Sequence, residues 1–195
     1  ARSYLQKIHV QQQSWSDLEA LYRETQDWRS YIALLNDHQE RETDPELKVE
    51  INLQIARLYE EHLDDPLRAL KRYERARRLA PDNVAVARVL AERYRARRDR
   101  PRLREVLETI AAHGTDPREV RDTQRQLVEI TKENQEYGEA FRFLAMGLGF
   151  DLAMDRAQTL NELYALAEQA GTFEGLPALL RGVDRIADGI HWARN

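Results

Sequence analysis

An arginine-rich run near the middle of the chain is the strongest chemical signal in the sequence. The run reads ERYRARRDRPRLR, from Glu92 to Arg104, and it ends a basic block that starts at Arg68 and holds 14 basic and 4 acidic residues. Guanidinium groups hold carboxylates and phosphates through paired hydrogen bonds. The block therefore predicts either ion pairs within the chain, with Glu74, Glu92, Asp99 or the acidic N-terminal part, or a surface for an anionic partner.

Other residue types that can do chemistry are not spaced for it. The five histidines lack the i, i+4 spacing of a zinc-binding helix, and the absence of cysteine excludes disulfides, thiolate catalysis and cysteine-zinc sites. The segment MGLGF, residues 146–150, lacks the strand and the Lys-Ser/Thr of a phosphate loop. The Asp64-Asp65 pair precedes Pro66 and is typical of a helix cap. We expect no enzyme activity, no cofactor and no metal site.

The composition predicts an all-α protein. The 195 residues are 42% hydrophobic and 33% charged, with only 8 Gly and 6 Pro, and no segment alternates apolar and polar residues as a strand does. No apolar run approaches the roughly 20 residues that span a bilayer. We expect no membrane insertion and a cytoplasmic location. The missing initiator Met and the apolar pattern that opens in the last residues favour a segment of a longer protein.

Helix pairs recur along the chain with a period near 36 residues. One apolar position of the first helix recurs as Ile55, Leu90, Leu127 and Leu163. Three positions of the second helix recur in parallel: Ala69, Leu103, Ala140 and Leu176; Tyr73, Leu107, Leu144 and Leu180; Ala76, Ile110, Gly147 and Val183. Asp-Pro pairs at 44–45, 65–66 and 116–117 supply N-caps, and Asp99 with Pro101 nearly repeats them. Each unit is predicted to be a helix, a short turn and a second helix.

This pattern resembles the tetratricopeptide repeat (TPR). Ala69, Tyr73, Ala76 and Pro81 stand at relative positions 0, 4, 7 and 12, after the segment IARLY. The resemblance is strongest over 50–83, and the usual Trp and Gly of the first helix are replaced throughout, which leaves half-a-TPR repeats and other α-solenoids open. It implies one right-handed α-solenoid, a superhelix of antiparallel helix pairs. The boundaries are one or more divergent helix pairs in 1–45, repeats at 46–83, 84–117, 118–152 and 153–189, and a further helix starting at 190–195.

The resemblance also implies a binding groove lined by the first helices. The groove positions would be Leu53 and Glu60, Arg88 and Arg95, Arg125 and Lys132, then Asn161 and Glu168. The central units would place four cations on one wall, similar to the clamp with which some TPR proteins hold a terminal carboxylate. The expected partner-binding residues are Leu53, Arg88, Arg95, Arg125 and Lys132.

The predicted function is a non-catalytic scaffold that binds a protein or peptide partner, in particular an acidic segment, in this groove. The alternative is an RNA-binding helical-repeat module that uses the arginine-rich block 68–104. The net charge of -4 and the packing positions of Tyr73 and Tyr94 disfavour nucleic acid. Neither the partner nor the oligomeric state follows from the sequence.

Overall fold

The computed structural model of the chain describes residues 15–147 and 156–171. The helices in these ranges are α1 Trp15–Thr25, α2 Trp28–Arg41, α3 Pro45–Glu61, α4 Pro66–Leu79, α5 Val84–Ala96, α6 Arg100–His113, α7 Pro117–Glu133, α8 Tyr137–Gly147 and α9 Arg156–Ala170. The described ranges contain no β-strand. The predicted all-α fold of successive helix pairs is confirmed.

The chain divides into two compact units, residues 1–81 and 82–195. In the first unit α3 packs on α4 and also contacts α2; in the second, α6 contacts α5 and α7, and α8 contacts α7 and α9. The predicted repeat at 153–189 and the helix start at 190–195 lie mostly outside the described residues. The division of the chain into one array with these boundaries stays a prediction.

The repeating apolar positions form the core. Ile55, Leu90, Leu127 and Leu163 are all fully buried. The second-helix positions are buried in every described unit: Ala69, Leu103, Ala140, Tyr73, Leu107, Leu144, Ala76, Ile110 and Gly147. Leu176, Leu180 and Val183 lie outside the described residues. A helix pair of this kind cannot bury its apolar face alone, so within each unit neighbouring pairs pack on each other.

Aspartate caps begin the helices, as the sequence predicts. The side chain of Asp44 accepts a hydrogen bond from the backbone N–H of Glu46, and that of Asp65 accepts one from Arg68. Asp99 and Asp116 cap α6 and α7 in the same way. The Asp64-Asp65 pair is therefore a turn and a cap, as predicted.

The turn inside each helix pair contains a residue in the left-handed backbone region. These residues are Gln26 (φ 56°), Asp64 (φ 48°), Arg98 (φ 56°), Gln135 (φ 62°) and Gly171 (φ 67°). In the first four of these turns the next residue donates its backbone N–H back into the first helix, as from Asp99 to Tyr94 O at 2.9 Å. This is how a helix end satisfies its last carbonyls before the chain reverses. The sequence predicted a short turn but not this left-handed residue, because only the last of the five residues is Gly.

Candidate functional site

Leu53 lines a cleft between α1 and α3 in the first unit. The cleft has a volume of about 500 Å³, and Leu53 is half-buried in its wall. Polar side chains surround it, and the lining residues are Glu19, Arg23, Glu50, Leu53, Gln54, Arg57, Leu58, Glu61 and His62. The cleft therefore combines a small apolar contact with charges of both signs.

Arg125 lines a second cleft, in the second unit, where α7 and α9 run beside α8. Its volume is about 370 Å³, and its lining residues are Arg125, Val128, Glu129, Leu144, Gln158, Thr159 and Glu162. Val128 and Leu144 are buried core residues, so they form an apolar floor. Both clefts thus lie beside first helices, the wall on which the resemblance places a partner.

Arg88 bonds the first helix of the next pair. Its Nε and one terminal NH2 group donate to the two carboxylate oxygens of Glu119, each at 2.5 Å, which joins α5 to α7. Hydrogen bonding to Glu119 raises the pKa of Arg88 above its ordinary value. A planar guanidinium matches a carboxylate in this two-bond geometry, so the side chain is held in place.

Two more side-chain hydrogen bonds join successive first helices, α5 to α7 and α7 to α9. Arg95 donates to the side-chain oxygen of Gln126 at 2.8 Å, and Lys132 donates to a carboxylate oxygen of Glu162 at 3.0 Å. In the repeat alignment Arg95 corresponds to Lys132, and Gln126 corresponds to Glu162. Hydrogen bonding to Glu162 raises the pKa of Lys132, and Glu129 lies 3.3 Å from the same amine.

The predicted groove residues therefore fall into two groups. Arg88, Arg95 and Lys132 connect successive first helices, while Leu53 and Arg125 line clefts. The binding of a partner by these residues stays a prediction.

Much of the arginine-rich run is paired inside the chain. Arg100 bonds Glu133, and Arg104, half-buried, bonds Glu108 and Glu136. Arg93 pairs with Glu92, and Arg102 lies 3.7 Å from Asp99, as the pairing alternative expects. The acids at 133 and 136 were missed, because the pairing alternative placed the partners within the block, at Glu74, Glu92 and Asp99, or in the N-terminal part. They come one repeat later, which the alignment of helix pairs could have indicated.

The described part of the chain contains no group of three or more His, Cys, Asp or Glu side chains placed to hold a metal ion. His62 instead stacks on Trp28, with ring centroids 3.8 Å apart. His113 lies 3.4 Å from Asp82. Within the described residues, no helix has the length and apolar character needed to cross a bilayer.

The sequence matches no protein-family model and no curated protein. Similar solved structures are helical proteins at low identity. BtubC from P. vanneervenii is 22% identical with a TM-score of 0.39, the alignment covering 90% of this chain and 79% of that one. MamA of AMB-1 is 19% identical with a TM-score of 0.44, covering 92% and 93%. A Podosopora anserina protein, described as a kinesin light chain with nearly identical TPR-like repeats, is 18% identical with a TM-score of 0.42, covering 91% and 95%. The assignment of this chain to a TPR-like helical-repeat fold rests on its own helix pairs and buried repeat positions.

Proposed function

We propose that this chain is a non-catalytic scaffold that binds a segment of a partner protein along its first helices. The observation that carries the proposal is the cleft between α7 and α9, which has an apolar floor beneath a charged rim. Protein-binding sites combine these two features, because apolar burial supplies affinity while charges set orientation and partner choice. The cleft beside Leu53 offers the same combination in the first unit.

The partner segment is proposed to be extended or helical and to carry an acidic side chain. Arg125 lies at the rim of the α7–α9 cleft and is exposed, so a partner carboxylate can reach its guanidinium. The buried side chains Val128 and Leu144 lie below it and suit an apolar side chain nearby. Arg88, Arg95 and Lys132 would contribute at the edges, since each already bonds a neighbouring helix.

Site-specific photocrosslinking tests the location of the partner. A crosslinking amino acid replaces Gln158, an exposed residue of the cleft, or Ala112, an exposed residue on the second helix α6. The proposal expects one partner segment to be crosslinked from Gln158 and not from Ala112. Crosslinks that come mainly from Ala112 would place binding on the second helices and contradict the proposal.

Charge reversal then tests the role of Arg125. Arg125→Glu should lower the yield of the crosslinked partner by at least about tenfold, because the partner carboxylate loses its arginine and meets a like charge instead. The matched control is Arg118→Glu, at an exposed position in the first turn of the same helix. Both variants should keep the wild-type melting temperature, because exposed charges contribute little to stability. Equal losses in the two variants would rule out a specific role for Arg125.

A further inference from the structure

The outward side of α4 carries a row of cations. Arg68, Lys71, Arg75 and Arg78 are all exposed, and at 3.6 residues per turn they fall within about 80° of the helix circumference and about 15 Å of its length. The opposite side of α4 is its packing side, with buried Ala69, Leu70, Tyr73 and Ala76. We call Arg68, Lys71, Arg75 and Arg78 the α4 basic row.

The cations of the α4 basic row and the arginines that follow them in the basic block differ in whether they form ion pairs. Among the described residues, Lys71, Arg75 and Arg78 form no ion pair, whereas Arg88, Arg100 and Arg104 all bond carboxylates. Arg68 pairs with Asp65 at 3.3 Å, within its own first turn. The basic block 68–104 thus combines arginines that are paired with carboxylates and, on α4, three neighbouring cations that are not.

The charge of the row has effects on its neighbour Arg72. Burial, chiefly, and also the positive charge of Arg75 lower the pKa of the Arg72 guanidinium. Like charges packed along one helix repel one another, by a few tenths of a kcal/mol for each i, i+4 pair. Repulsion within the row therefore destabilises α4 slightly, and a bound polyanion would reduce this repulsion.

The repeat itself does not require these cations. In the register that aligns Ala69 with Leu103 and Ala140, the row corresponds to Arg102, Glu105, Thr109 and Ala112 on α6 and to Glu139, Arg142 and Met146 on α8. The corresponding helices pack in the same way with mixed or neutral outward faces. Packing within the repeat therefore does not account for the row, whereas binding of a ligand to this helix would.

The surroundings of the row favour phosphate over a protein or a membrane as the ligand. A stable protein interface needs an apolar centre, and the one large apolar side chain of α4 that is strongly exposed is Leu67, at its N-terminal end. A membrane-bound amphipathic helix needs a free apolar face, but that face of α4 is buried. Phosphate backbones need neither, because binding to them comes from Arg and Lys contacts and the release of counterions.

We propose that the α4 basic row binds the phosphate backbone of nucleic acid without reading its sequence. Arg68, Lys71, Arg75 and Arg78 contact successive phosphates, and Arg gives two-bond contacts to phosphate oxygens that Lys cannot. None of these residues lines the clefts proposed for the protein partner, so the two proposals use different residues.

Fluorescence anisotropy with a labelled 20-nucleotide RNA tests the proposal on the full chain at several salt concentrations. The variant Lys71→Ala/Arg75→Ala/Arg78→Ala removes the cations without ion pairs, and the control Arg29→Ala/Arg98→Ala/Arg118→Ala removes as much charge from scattered exposed positions. We expect the row variant to lose at least about tenfold in affinity and to flatten the slope of log affinity against log salt by about 2, the value for three lost contacts to a single strand. The control should stay within about threefold of wild type.

Three results would overturn the proposal. One is the absence of saturable RNA binding by the wild type at low salt, and another is an equal loss in the row variant and the scattered control. The third is tighter binding, dependent on the row, to an acidic peptide or to vesicles of anionic phospholipid than to RNA. Circular dichroism of both triple variants checks that they fold, since five of the six substituted residues are exposed helix positions where Ala preserves helicity and the sixth, Arg98, lies in a turn.

Discussion

The Nζ of Lys132 lies 3.0 Å from Oε1 of Glu162, and this pair joins α7 to α9 at the positions where Arg95 and Gln126 join α5 to α7. A cation late in one first helix thus meets an oxygen acceptor in the next first helix, in two successive pairs. The cations that mark the groove in the sequence therefore also connect its wall. Their substitution is expected to change stability as well as binding.

A charge swap tests this connecting role. Lys132→Glu should lower the free energy of unfolding by up to about 1 kcal/mol, because the side chains of Lys132 and Glu162 are partly exposed and water screens their interaction. Adding Glu162→Lys should restore most of the loss, since the pair is then re-formed with opposite polarity. Urea unfolding of the two single variants and the double variant measures the coupling. Additive effects would show that the pair contributes nothing.

Close packing at Ala69 gives the next prediction. Ala69 is fully buried where α3 and α4 pack, so Ala69→Leu should destabilise the chain by about 1 to 3 kcal/mol through overpacking. Lys71→Leu is the matched control, two residues along the same helix and exposed, and it should change stability by less than about 0.5 kcal/mol. Thermal melts of both variants would decide, and similar losses would contradict the repeat register.

The left-handed turn residues predict a stabilising substitution. Arg98 has φ 56° between α5 and α6, where a side chain costs roughly 1 kcal/mol and glycine costs nothing. Arg98→Gly should therefore raise the free energy of unfolding by about 1 kcal/mol. Arg75→Gly, at an exposed position inside α4, should lower it by about the same amount, because glycine weakens a helix interior. A fall in stability for both variants would show that the turn does not depend on this conformation.

The sequence predicted the core because the core follows from periodicity. Ile55, Leu90, Leu127 and Leu163 recur at helical-repeat spacing, and each is fully buried. The caps were equally accessible, since an Asp before Pro has few other structural uses. Periodic apolar positions and cap chemistry are local signals, and they decide this fold.

The side-chain partners were less accessible, because they depend on how neighbouring helices pack. Arg88 pairs with Glu119 and Arg100 with Glu133, each 31 to 33 residues away. The turns were predicted, but their left-handed residues were not: Gln26, Asp64, Arg98 and Gln135 adopt this backbone conformation without being Gly. In both cases the constraint comes from the helix pair as a whole and not from the residue type.

The packing of Gly147 on α8 against Gln124 on α7 gives a further prediction. A Cβ at position 147 would lie 3.1 Å from Oε1 of Gln124, so a larger residue there needs the long amide opposite to shift. In the preceding helix pair, Gly147 corresponds to Ile110 and Gln124 corresponds to Ala87, so the large and the small residue have exchanged places.

Gly147→Ile should therefore destabilise the chain by about 1 to 3 kcal/mol through overpacking. The double variant Gln124→Ala/Gly147→Ile recreates the Ala87 and Ile110 combination and should recover most of that loss. Guanidinium unfolding of the single and double variants provides the measurement. If the double variant were no more stable than Gly147→Ile, the size relationship between the two positions would not hold.

The last prediction concerns stability at alkaline pH and rests on Tyr31. Its side chain is fully buried, it accepts a hydrogen bond from Gln54 Nε2 at 2.9 Å, and burial with the nearby charge of Glu19 raises its pKa from 10.0 to about 12. The folded state therefore keeps the phenol proton after the unfolded chain has lost it. The resulting stabilisation is complete below pH 10 and is lost as the pH rises from 10 toward 12, by about 2 to 3 kcal/mol in all at 1.36 kcal/mol per pH unit.

Tyr31→Phe removes this titration. As the pH is raised from 9 to 11.5, the free energy of unfolding of the wild type should fall relative to that of Tyr31→Phe. Tyr164→Phe is the control, because Tyr164 is 46% exposed and its substitution should leave the alkaline dependence of the wild type unchanged. Urea unfolding at intervals of half a pH unit gives the three curves. Parallel curves for the wild type and Tyr31→Phe would contradict the prediction. They would show that Tyr31 ionises as readily in the folded chain as in the unfolded one, although its side chain is buried.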